Sequence, residues 1–130
     1  QSLLAVEPAE LRLRLLGTWG IGKETADAIV AYAAREPALV IDAYTMRLFS
    51  RLGHGPGSTS YDEWQAWMLA HLQTERSATN HPETERDLYC RYHALIVMHC
   101  KHLCTKAAPR CGECEFAGRC AFAANQPPRV

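Results

Sequence analysis

Two glycines one residue apart, Gly20 and Gly22, stand between two stretches of helical periodicity and constrain this chain more than any other feature. Upstream, Leu11, Leu15 and Leu16 fall at helical spacing within Pro8–Leu16, which predicts a short helix with Arg12 and Arg14 on its solvated side. Downstream, Ala26, Ile29, Val30 and Ala33 recur at i, i+3, i+4 and i+7. That spacing predicts a second helix from Lys23 to Ala34 with one buried stripe, stopped by Pro37. The Gly20-Ile21-Gly22 turn permits positive φ and close backbone approach just where the next helix must expose its first unpaired N–H groups. Such a turn is an anion site, and on a polymer of phosphates it grips a backbone oxygen.

The rest of the chain reads as further helices. The apolar run Ala38-Leu39-Val40-Ile41 ends on Asp42, a preferred N-cap, and opens a helix to about Leu52 with Tyr44, Leu48 and Leu52 inward. Gly53-His54-Gly55-Pro56-Gly57 is a loop by composition. Ser60 and Glu63 have capping-box spacing, and Tyr61, Trp64, Met68 and Leu72 line one face of the helix that follows. A second break is expected from Ser77 to Pro82. A long helix then carries Leu88, Tyr92, Leu95, Ile96, His99 and Leu103 on one stripe and delivers the chain to Cys104. With no period-two pattern and no internal repeat, the expected fold is all-α, in two parts: 1–76 with the glycine turn and Asp42, and 77–130 with the long helix and a cysteine-rich loop.

At 130 residues the chain is one domain or slightly less, and its first residue is Gln1, so a preceding segment is expected. No charged leader or long apolar stretch suggests a signal peptide or membrane span. The 14 basic and 14 acidic side chains cancel, so no global field advertises a nucleic-acid partner. Their distribution says more, because Lys101 to Val130 holds five basic residues against Glu113 and Glu115. Four of the six cysteines crowd into seventeen residues, which favours a metal centre in a reducing compartment over a disulfide scaffold. Cys104, Cys111, Cys114 and Cys120 form C-x6-C-x2-C-x5-C, a set of four thiolates suited either to tetrahedral zinc or to an iron–sulfur cubane. Metal ligation there would replace a core that this tail, with Phe116 and Phe122 among its few large apolar residues, cannot build. His99 and His102 flank the first cysteine, but four thiolates leave them no vacancy. Cys90 and Cys100 lie outside the pattern and read as buried free thiols.

The turn with its two helices, Thr25-Ala26 after the glycines, Asp42 eighteen positions beyond Glu24, and the cysteine spacing together resemble the endonuclease III superfamily of helix-hairpin-helix DNA base-excision glycosylases. The resemblance runs from about Leu11 to Cys120 and covers the later half of that fold. It implies a [4Fe–4S] cluster on Cys104, Cys111, Cys114 and Cys120. It implies DNA contacts from Gly20, Ile21, Gly22, Lys23 and Thr25 in the hairpin and from Lys106, Arg110 and Arg119 in the cluster loop. Asp42 takes the place of the carboxylate that stabilises the cationic sugar of an oxocarbenium-like transition state. The partner implied is double-stranded DNA with a damaged base, met by a monomeric, cytoplasmic, nucleoid-associated protein with no membrane attachment.

Where bifunctional family members place an imine-forming lysine, this sequence has Glu24, and Lys23 stands one step earlier, about 100° around the helix. The departure points to a monofunctional glycosylase. GIGKETADAI and IDAYTMRL look most like the 3-methyladenine glycosylase branch, which implies alkylated purines as substrates. Two alternatives stand beside this reading: a bifunctional, endonuclease III-like oxidised-pyrimidine glycosylase and AP lyase, and a non-catalytic helix-hairpin-helix iron–sulfur DNA-binding module.

Overall fold

A computed structural model of the protein describes residues 2–79 and 83–126. Its elements run in order as a 3-10 turn at Leu3–Ala5, then α1 (Pro8–Leu16) and α2 (Lys23–Ala28), which continues directly into a π turn at Ile29–Ala33. These are followed by α3 (Ala43–Leu52), α4 (Tyr61–Thr79), α5 (Glu85–His102), two 3-10 turns at Cys111–Glu113 and Ala117–Arg119, and the short α6 (Ala121–Ala124). No strand occurs among the described residues, as the sequence periodicity predicts.

Two apolar clusters organise the body. Leu11, Leu15, Ala26 and Val30 zip α1 to α2, with Ile21 from the turn tucked against them. A larger cluster joins the Leu39–Ile41 run, Leu48 of α3, Trp64, Met68 and Leu72 of α4, and Leu88, Tyr89, Ile96 and Cys100 of α5. Trp64 is its anchor: 1% exposed, it donates its indole N–H to Ser58 O at 2.7 Å and stacks edge-on against Trp67. Gly55 (φ +108°) closes over the Trp64 ring, and a Cβ there would collide with it. Between the clusters lies Asp27, 1% exposed, whose carboxylate accepts from Arg12 at 2.7 and 3.2 Å, from the Tyr61 hydroxyl at 2.7 Å and from Gln65 at 3.0 Å. One buried charge thus ties α1, α2 and α4 together, satisfied on both oxygens as a buried carboxylate requires.

The structure departs from the expected elements in several places. Ala33 is exposed and Ala31 buried, because the π turn rotates the chain out of the 3.6-residue register after Val30. The helix is stopped by Arg35, which takes a left-handed φ of 58°, before Pro37 is reached. Helix α4 continues through Ser77, and residues 80–82 of the expected break lie outside the described residues. Leu95 is 57% exposed, since the inward row of α5 runs through Leu88, Tyr89, Ile96 and Cys100. Cys100 is buried but Cys90 only partly so. The capping box is half formed: Ser60 Oγ accepts from Glu63 N at 3.3 Å, while the Glu63 carboxylate binds the Ser58 hydroxyl instead of reaching back to Ser60.

Candidate active site and hairpin

The buried run Leu39–Ile41 is extended, and its end places Asp42 at the N-cap of α3 with extended backbone (φ −131°, ψ 179°). Asp42 Oδ1 accepts from Thr45 N at 2.9 Å and from Thr45 Oγ1 at 3.1 Å. The second oxygen is held by a residue that the sequence reading missed: His93 Nε2 of α5 lies 3.0 Å from Oδ2. His93 Nδ1 in turn lies 2.7 Å from the hydroxyl of Tyr32, which the π turn presents. Burial alone would raise the Asp42 carboxyl, but the bonds from His93 and Thr45 outweigh it and hold the group below its ordinary value, so it is a carboxylate at neutral pH. One signal of His93 was legible. It stands four residues after Tyr89 and three before Ile96, a polar side chain on an otherwise inward row, which calls for a buried partner.

Ahead of this site, the hairpin is a tight turn. Ile21 N donates to Thr18 O at 3.2 Å, Gly20 takes φ +85°, and Gly22 caps α2 with φ −90°. A Cβ built on Gly20 or Gly22 would meet nothing within 4 Å, so the face of the turn is open. Ile21 packs its side chain against the α1–α2 cluster, and its N–H closes the turn. Trp19, 98% exposed, projects from the same turn. Lys23 Nζ is paired with Asp62 at 2.6 Å, and Glu24 and Thr25 are exposed.

The cysteine loop packs against the other end of α3. Arg47 Nε donates to Cys104 O at 3.0 Å, and Arg51 reaches Thr105 O at 2.8 Å, Lys106 O at 2.9 Å and Cys104 Sγ at 3.4 Å while lying over the Phe122 ring. Cys104, Cys111, Cys114 and Cys120 border one cavity, lined also by Leu48, Leu52, Phe116 and Phe122. Among the described residues no three ligand side chains converge tightly enough for a single metal ion. Of the loop cations, Arg110 is bonded to Glu113 at 2.7 Å, while Lys106 and Arg119 are exposed. No helix among the described residues is long and apolar enough to cross a membrane.

An all-helical body that sets an open hairpin turn before a capped, buried aspartate and ends in four clustered cysteines defines the later half of a DNA glycosylase fold. No protein-family model matches the chain. Among curated proteins it is 43% identical over 110 residues to the candidate DNA repair glycosylase MJ1434 of Methanocaldococcus jannaschii, covering 85% of this chain and 45% of that one. It is 26% identical to endonuclease III of Buchnera aphidicola over 79% of this chain and 42% of that one. Among solved structures it matches a trapped endonuclease III–DNA covalent intermediate with TM-score 0.70 at 20% identity, covering 87% of this chain and 47% of that one. The H. pylori 3-methyladenine DNA glycosylase MagIII bound to 1,N6-ethenoadenine matches with TM-score 0.62 at 32% identity, covering 76% and 45%. The chain belongs to the helix-hairpin-helix DNA glycosylase superfamily that includes endonuclease III. It spans about half the length of the curated relatives it matches.

Proposed function

We propose that the whole protein is a monofunctional DNA N-glycosylase of base-excision repair that hydrolyses the glycosidic bond of an alkylated purine in double-stranded DNA. The observation that carries the reading is Asp42: an ionised, largely buried carboxylate fixed at a helix N-cap, in line after an open hairpin turn. Its negative charge is suited to stabilise the sugar cation that develops as the base departs. Gly20, Gly22, Lys23 and Thr25 are the hairpin positions that would meet DNA phosphates, with Lys106 and Arg119 as further cationic contacts. Arg110 would have to leave Glu113 to join them.

Hydrolysis without a lyase step is supported by the residue in the lysine position. Glu24 has no amine, and the neighbouring Lys23 ammonium is engaged with Asp62. An alkylated purine is supported by the 32% identity to a 3-methyladenine glycosylase. Such a base carries positive charge, so it leaves without a general acid. The chain would then need to supply extrusion, a pocket and the Asp42 charge.

Cys104, Cys111, Cys114 and Cys120 would hold a [4Fe–4S] cluster, whose contribution when bound is to cross-link a tail that lacks its own core. The purified protein is then brown and contains iron and acid-labile sulfide. Zinc without sulfide would overturn that assignment.

The activity is tested on the protein in its natural full length with a duplex carrying 3-methyladenine. Base release leaving an unbroken abasic strand, with no adduct trapped by borohydride, is the expected result. Asp42→Asn keeps the cap, because Asn caps as well as Asp, and lowers excision on the order of a hundredfold or more. Full activity in this variant would reduce Asp42 to a cap, and a trapped adduct would restore the bifunctional reading.

A further inference from the structure

The second oxygen of Asp42 is not left to solvent. Capping fixes only Oδ1, through the two Thr45 contacts, and a carboxylate held by one oxygen can still pivot its other oxygen. Oδ2 is met by His93 Nε2 at 3.0 Å, and the far nitrogen of the same ring meets the Tyr32 hydroxyl at 2.7 Å. Asp42 and His93 side chains are 9% and 19% exposed, so this contact is largely shielded, whereas Tyr32 is 45% exposed and closes the chain at the surface. Three separate elements converge here: the N-cap of α3, the middle of α5 and the π turn, the last pinned to α5 by Arg86 Nε donating to Ala31 O at 3.1 Å.

We propose that His93 and Tyr32 are positioning residues for Asp42: the Tyr32 hydroxyl donates to His93 Nδ1, which fixes the ring proton on Nε2, and that N–H holds Oδ2 so the carboxylate faces the reacting sugar in one orientation. The assignment follows from donor–acceptor logic. An ionised carboxylate only accepts, so the proton in the Asp42–His93 contact belongs to Nε2. In the neutral ring Nδ1 is then an acceptor, and the hydroxyl in reach is its donor. Burial and the neighbouring Cys90 push the Tyr32 phenol up, which keeps its proton available for that bond. The remaining groups around the arm are Arg86, Cys90 and Cys100, all on α5; Arg86 acts on Tyr32 and Cys100 lies within the field of Asp42. The kinetic part of this inference rests on the glycosylase reading, but the bonding part does not.

The test uses His93→Phe, which keeps a ring and removes both nitrogens, and Tyr32→Phe, which removes one hydroxyl at a half-open position. Nitrogen NMR of the unmodified chain is expected to show His93 as the Nε2–H tautomer, with Tyr32→Phe shifting it toward a mixture. Carbon NMR of the Asp42 carboxyl is expected to titrate at higher pH in His93→Phe, because the His93 bond is the largest of those that lower it. In single-turnover excision by the full-length protein, activity falls as Asp42 is protonated, so the acid limb of His93→Phe moves to higher pH. The rate on the plateau falls roughly ten- to a hundredfold, the scale of a misplaced catalytic group, while affinity for a duplex with an abasic analogue is unchanged. If His93→Phe folds and leaves both the Asp42 titration and the acid limb where they were, the positioning role is overturned. The same holds if His93 is the Nδ1–H tautomer. If excision is indifferent to Asp42→Asn as well, the glycosylase reading of Asp42 falls with it. A loss in His93→Phe and Tyr32→Phe, with Asp42→Asn inactive, supports the inference. Should His93→Phe fail to fold, the Tyr32→Phe tautomer measurement decides it.

Discussion

Among the described residues of the helical body sixteen apolar side chains are buried, the last of them Cys100, and the two buried aspartates have partners on both oxygens. From Lys101 to Gln126 none of the described residues is buried, and order comes from short 3-10 turns and from two arginines of α3 that hold the loop's carbonyls. The body is stabilised by what the polypeptide removes from water; the tail is held by the α3 arginines and, on the proposed assignment, by the group its four cysteines would bind. Two architectures on one chain therefore have separate routes to failure, which can be measured independently.

The largest effect is expected in the body. Trp64→Ala removes the anchor of the main cluster and should cost about 3–5 kcal/mol, lowering the midpoint of global unfolding in denaturant. Cys111→Ala should instead release the tail: limited proteolysis cleaves between Thr105 and Gln126, while the body's melting temperature moves by less than about 4 °C. A body destabilised as much by Cys111→Ala as by Trp64→Ala would break the distinction.

Gly22→Val should cost folding no more than a weakened cap, since Gly22 has φ −90° and no atom lies near its Cβ, yet it should weaken duplex binding about tenfold, one charge-assisted bond to phosphate. Unchanged affinity by anisotropy would place the DNA contact elsewhere. The smallest effect is a gain. Arg35 is the one non-glycine with positive φ among the described residues, and Arg35→Gly should add about 1 kcal/mol by relieving it, read as a higher melting temperature.

Most of the helical frame was legible in the sequence because it is local. The stripe Trp64, Met68, Leu72 and the cap Asp42 with Thr45 depend on residues three or four apart, and they are where periodicity and capping preferences place them. What escaped was long-range. Asp27 has no marked role in the sequence until Arg12, Tyr61 and Gln65 are brought to it from two other helices. His93 is fifty-one residues from Asp42 and sixty-one from Tyr32, so no local rule pairs them. Spacing alone places Leu95 inward, but α5 is rotated enough to leave it in solvent.

The π turn at Ile29–Ala33 has a consequence for how such chains are compared. A π turn spends one residue more than the α-helix it interrupts, so it acts as a single-residue insertion absorbed inside a helix. The interval of eighteen from Glu24 to Asp42 includes that extra residue. A related chain with an unbroken α-helix here would span the same distance in seventeen, and it would present a different side chain where Tyr32 meets His93. Counting positions from the hairpin glycines would then miss its aspartate by one.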